Sequence, residues 1–192
     1  MICCLRHVDD DEIERLLAEP KYIYEFLYGK QAAVRPGFIT RLIGRKVDES
    51  EESKAPEWVK EAERVEADLD KAWHGIHYLL TGTDWEGEEP WCYLVKGGEE
   101  IGDIDVGYGP ARGVRQEQVR QFLEALDGIN PENLRKRFDA EKMMELDIYP
   151  TIWDRDPQED DTLGYLIEYF HILRSFVHRA VEREKGLIIY LC

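Results

Sequence analysis

The spacing of apolar residues along this chain changes period several times, and each change marks an element. Ile2 to Val8 is a short, mostly apolar run that reads as a strand. Asp9, Asp10 and Asp11 follow, acids suited to the start of a helix, and Ile13, Leu16 and Leu17 give that helix an apolar stripe. Pro20 interrupts it, and Tyr22, Ile23, Phe26 and Leu27 mark a second short helix that stops near Gly29. From about Lys46 to Glu57 the chain turns polar and acidic, with Ser50, Ser53 and Pro56 interleaved. This predicts an exposed acidic loop rather than a domain boundary, because too little chain precedes it to fold alone.

Val65, Leu69, Ala72, Trp73, Ile76 and Leu80 recur at three- and four-residue intervals and predict a long helix from about Glu57 to Leu80, stopped by Gly82. Trp91 to Val95 fits a short helix or a buried strand, and Pro90 before it with Gly97-Gly98 after it tips the reading to helix. Gly98 to Gly113 reads as a structured loop. Val119, Phe122, Leu123 and Leu126 form an amphipathic helix ending at Gly128. Asn130 and Pro131 open another, and Asp139 caps a third through Met143 and Met144. The longest helix is expected from about Asp160 to Glu184. Leu163, Leu166, Ile167, Phe170, Leu173, Val177 and Val181 share one face, which Tyr169, Ile172 and Phe176 widen. So little polar surface remains that this helix belongs at the centre. Leu187 to Leu191 is a buried strand. The expected fold is α+β: one helix-rich domain over residues 1–192, with a small sheet that includes the N- and C-terminal strands. A third strand should come from the middle, since two alone are marginal.

Charge narrows the function classes. The chain has 41 acidic against 25 basic residues, a net −16, which repels phosphate backbones and anionic membranes. Nucleic acid and membrane are therefore not expected partners; the charge favours a basic protein partner or is simply that of a soluble cytosolic surface. The four cysteines, Cys3, Cys4, Cys92 and Cys192, lack zinc or disulfide-framework spacing and suit a reducing, cytoplasmic compartment. Residues 1–8 carry Arg6 and offer no secretory core, and no apolar run approaches the roughly 20 residues that cross a bilayer.

The densest chemistry lies in DKAWHGIHYLLTGT, from Asp70 to Thr83. On a helical wheel Leu69, Trp73, Ile76 and Leu80 face the core, Asp70 and His77 share a flank, and His74 lies nearest solvent. Asp70 stands four residues before His74, so a carboxylate–imidazole contact could orient an acid–base histidine. The plainer alternative makes Trp73 and His77 boundary residues whose ring nitrogens are satisfied locally. No Glu or Cys completes a metal motif with these histidines, so no metal and no cofactor is expected. GYGPAR, Gly107 to Arg112, is a shaped turn bearing a fixed cation. Arg112 could clamp an anion or pair internally with Asp70, Asp105 or Asp147. Tyr108 belongs to the same turn. DIYPTIW adds Asp147, Tyr149 and Trp153 on a proline-stiffened turn, suited to a ligand wall or a core edge.

These three segments, in this order, resemble the YfbM-like family of small bacterial proteins of unknown function, and the resemblance runs from MICCLRHVDDDEIERLL to GLIIYLC. It implies a compact α+β fold in a bacterial cytosol and no assigned chemistry. Two readings of function follow from the residues. The first is a non-enzymatic acidic protein that recognises a basic protein partner, as immunity proteins do. The second is a small-ligand binder or enzyme for an anionic substrate, with His74 or His77 oriented by Asp70, Arg112 holding the anion, and Trp73, Tyr108, Asp147, Tyr149 and Trp153 lining the pocket. The sequence assigns no oligomeric state.

Overall fold

The computed structural model describes residues 1–29 and 55–192. Strand β1 (Cys3–Val8) leads into helices α1 (Asp10–Ala18) and α2 (Ile23–Tyr28), joined by one 3-10 turn at Pro20–Tyr22. After the gap come α3 (Glu57–Glu61), β2 (Glu66–Asp68), α4 (Trp73–Thr81), β3 (Glu99–Glu100) and β4 (Arg112–Val114). The chain closes with α5 (Gln116–Asp127), α6 (Pro131–Arg137), α7 (Ala140–Glu145), α8 (Thr162–Glu182) and β5 (Gly186–Leu191). The architecture is α+β, as the sequence indicates. The expected acidic loop at about 46–57 lies outside the described residues except for its end, where Ala55 is buried and Glu57 opens α3.

The strands form one antiparallel sheet in the order β2-β1-β5-β4-β3. The N- and C-terminal strands are neighbours along their whole length, from Cys3 opposite Leu191 to Val8 opposite Gly186. Successive residues in a strand point to opposite faces, and here both faces are apolar. Cys3, Leu5, Leu187 and Ile189 pack with α4, α5 and α8 in the larger core, while Val8, Ile188 and Tyr190 pack with α1, α2 and α3 in the smaller one. Helix α8 fills the larger core through Leu166, Phe170, Leu173, Phe176 and Val177, as its broad apolar face requires. The Asp161 carboxylate caps it by accepting from the Gly164 amide at 2.8 Å. Asn130 and Asp139 cap α6 and α7 in the same way, at the positions read from the sequence.

Three expectations need correction. The long helix from Glu57 to Leu80 does not form. Ala62 takes extended ψ after α3, residues 66–68 pair with β1, and Asp70 adopts φ 44° in the turn that opens α4. Apolar spacing at Val65, Leu69 and Ala72 satisfies a helix, but the free edge of β1 offers backbone partners, and that tertiary gain overrides the local pattern. Residues 91–95 form hydrogen-bonded turns and no regular helix, with the Val95 and Lys96 amides both donating to the Cys92 carbonyl. The 98–113 loop contributes two short strands at its ends. Gly98 turns there with φ 72°, and a Cβ on it would come within 2.5 Å of the Gly113 carbonyl oxygen, so only glycine fits.

Candidate functional site

The Asp70–Thr83 segment is bonded to its neighbours in the fold through Asp70, His74, His77 and Thr81. His74 is 1% exposed, not at the solvent edge, because α4 is buried around its whole circumference from Trp73 to Leu80. The Tyr149 amide donates to its Nδ1 at 3.0 Å, and its Nε2 lies 2.9 Å from the Asp84 carbonyl oxygen. An amide N–H can only donate and a carbonyl can only accept, so this ring is fixed as the neutral Nε2–H tautomer. Trp73 stacks on it at 4.9 Å, and the tilted Trp85 ring lies 4.5 Å away. Burial holds its pKa below the usual imidazole value.

His77, fully buried, has Nε2 3.3 Å from Thr81 Oγ1, and burial aided by the nearby His74 lowers its pKa to about 4. The anticipated Asp70–His74 contact is replaced. Asp70 Oδ2 accepts from Tyr165 of α8 at 2.9 Å, tying the turn before α4 to the central helix. Trp153 is a core residue whose indole donates to the Ile148 carbonyl at 2.6 Å. Tyr149 accepts from the Met1 nitrogen at 3.1 Å, and its ring centroid lies 6.1 Å from that of Trp73. Trp73 Nε1 and His77 Nδ1 are buried without a partner among the described residues.

Arg112 also has internal partners, though not the carboxylates expected. It is 7% exposed on β4, and its guanidinium donates to the Gly97 carbonyl at 3.0 Å and the Leu94 carbonyl at 3.2 Å. Asp105 instead organises its own turn, accepting from the Gly107 and Gly109 amides at 2.8 and 3.0 Å, and these bonds lower its pKa. Tyr108, on that turn, and Asp147 are exposed, and neither has a side-chain hydrogen-bond or ion-pair partner among the described residues. Arg112, Asp70 and His74 are thus turned to three different sets of partners.

A different place gathers charge. At the junction of β1 and α1, a hollow of about 390 Å³ is lined by His7, Asp9, Asp11, Glu12, Arg15, Glu61, Glu63 and Lys185, with Trp58 and Ala62 as apolar wall. His7 is 3% exposed and stacks against Phe176 at 4.2 Å. Its Nε2 lies 3.2 Å from the Phe176 carbonyl oxygen, so Nε2 carries the proton and Nδ1 is a bare acceptor, without a partner among the described residues. Lys185 is engaged by both oxygens of Asp9 at 2.8 Å, Glu12 accepts from the Asp9 amide at 2.8 Å, and Arg15 lies over the Trp58 ring. Asp11 and Glu61 have no ion-pair partner among the described residues. The sequence carries a trace of this place in HVDDDE, where a histidine stands one residue before the end of the first strand and acids begin the helix. The residues from 57 to 63 arrive only through the fold. Among the described residues no group of three or more His, Cys, Asp or Glu could hold a metal ion.

This fold defines an α+β protein. A family model described as a domain of unknown function, DUF1877, matches residues 1–190, and the chain belongs to that family. Among solved structures it is similar to the crystal structure of YfbM, a protein of unknown function from Escherichia coli. The TM-score is 0.65 and the identity 19%, covering 98% of each chain, a likeness of fold. No curated protein matches the sequence.

Proposed function

We propose that this protein is a non-enzymatic binding protein that recognises a basic protein partner, in a bacterial cytoplasm. The observation that carries the reading is the hollow at the β1–α1 junction. It sets five carboxylates against Arg15 and Lys185, and among the described residues Asp11 and Glu61 have no ion-pair partner. Carboxylates complement a lysine or arginine side chain, which brings donors and positive charge together. The net −16 extends the same sign over the molecule and speeds encounter with a basic surface.

The alternative, a pocket for an anionic substrate built on His74, His77, Asp70 and Arg112, has less support. The Arg112 guanidinium is bonded to two carbonyls, and both ring nitrogens of His74 are engaged by backbone groups. The four free thiols suit a reducing compartment, and no helix among the described residues is long and apolar enough to cross a membrane.

The test is affinity capture from bacterial lysate, first at low and then at high salt, with wild type beside a D11K/E61K double variant. The expected result is a basic protein held by wild type at low salt, released at high salt, and not held by the double variant. Retention of no basic protein at low salt, or equal retention by the variant, would overturn the reading and this placement respectively.

A further inference from the structure

The β1–β5 pair carries a second piece of chemistry, unrelated to the acidic hollow. Cys4 lies opposite Tyr190, so Cys192, two residues further along β5's direction, is its diagonal neighbour on the same face. The two sulfurs are 3.2 Å apart, and both are free thiols. The approach is set by the backbone ladder rather than by chance side-chain placement. The Ile2 amide donates to the Cys192 carbonyl at 2.7 Å, and the Cys192 amide returns a bond to Ile2 at 2.9 Å. Cys192 is exposed and Cys4 half-buried, whereas Cys3 and Cys92 are buried. A disulfide needs about 2.05 Å between sulfurs, a closure of roughly 1 Å from the separation seen.

We propose that Cys4 and Cys192 form a redox modification site, a dithiol that a peroxide converts into an intramolecular disulfide joining the first and last strands. In the first step the exposed Cys192 thiolate attacks one peroxide oxygen and the O–O bond breaks. This leaves a sulfenic acid, and hydroxide takes up the proton released by the thiol. In the second step Cys4 sulfur attacks Cys192 sulfur, the S–O bond breaks, and the departing hydroxide takes the Cys4 proton. The two thiols lose two electrons and two protons, and hydrogen peroxide is reduced to two waters. Burial, reinforced by the neighbouring Cys192, pushes the Cys4 thiol up, so Cys4 stays protonated as the resolving partner while Cys192 reacts first. The bond would close a loop containing nearly the whole described chain, which restricts the unfolded state most strongly when the loop is long.

The experiment treats the fully reduced protein with one equivalent of hydrogen peroxide and reads intact mass, thiol titre after denaturation, and a peptide map. The expected outcome is a mass lower by two hydrogens, a fall from four titratable thiols to two, and a cross-linked peptide pair holding Cys4 and Cys192. Dithiothreitol should reverse all three. The melting temperature of the oxidised form should rise by roughly 10 °C. C4S and C192S should each lose the cross-link. A mass gain of whole oxygen atoms without a cross-link, a disulfide between two chains on a non-reducing gel, or loss of two thiols in C192S would each overturn the proposal. The first readouts use the wild-type chain, so they stand even where a serine variant folds poorly.

Discussion

His77 and His74 sit where a charge cannot be hydrated, and this fixes how stability responds to acid. The folded-state pKa of His77 is lowered to about 4 from an unfolded value of 6.5, so between those values the unfolded chain binds more protons than the native one. Its contribution is complete above about pH 6.5 and is lost as pH falls toward 4. His74 and His7, also lowered by burial, add to the slope with the same sign. The expected loss between pH 7 and pH 5 is about 2 kcal/mol for His77 alone. Urea unfolding at the two pH values, compared between wild type and His77→Gln, checks it. A variant with the same pH slope as wild type would show that His77 does not titrate with folding.

Arg112 makes a second residue-scale case. Methionine there keeps the apolar stem but leaves the Leu94 and Gly97 carbonyls without their donor. The lost charge-assisted bonds outweigh the relief of desolvating one cation, so R112M should be destabilised by about 2 kcal/mol in chemical denaturation. An unchanged unfolding midpoint would mean that water replaces the guanidinium. At this scale the sequence identified which residues bear chemistry but not what each one faces. His74 reads as exposed on the wheel, but Tyr149, Asp84 and Trp85 from outside the helix cover that side. The Arg112 partners are backbone carbonyls, which no pairing of charged side chains reveals.

Between elements, the contact of α4 with α8 depends on Gly75. A Cβ there would stand 2.6 Å from Leu166 Cδ2 and 2.8 Å from Trp153 Cη2. Alanine would gain about 1 kcal/mol of helix propensity, but forcing a methyl into this packing costs about 1–3 kcal/mol. The overpacking wins, and Gly75→Ala should lower the melting temperature by a few degrees. A raised melting temperature would show that Leu166 and Trp153 move aside without loss. Helices with a side-chain cap or clean periodicity, α5, α6, α7 and α8, were legible from residues alone, within a residue or three at their ends. The helix read across 57–80 was not, because residues 66–68 satisfy two patterns and the open edge of β1 chose between them. The same holds for 98–113, whose strands β3 and β4 exist through pairing with each other and with β5.

For the whole molecule, charge and the union of the chain's two ends dominate. Binding to a basic partner should weaken steeply with salt, and reversing Asp11 and Glu61 should abolish it at ionic strengths where wild type still binds, as read by the capture experiment above. Composition, periodicity and caps determined by themselves that the chain is α+β, that α8 is central, that the first and last runs are strands, and that the net charge is −16. These depend on local geometry and on total charge, which any short stretch or simple count expresses. Only the tertiary structure decided that residues 66–68 join the sheet, that His74 and Arg112 face backbone groups, that His7 meets the 57–63 segment in a hollow, and that Cys4 meets Cys192. Each of these is a contact between residues distant in sequence, and spacing along a chain carries no distance across a fold.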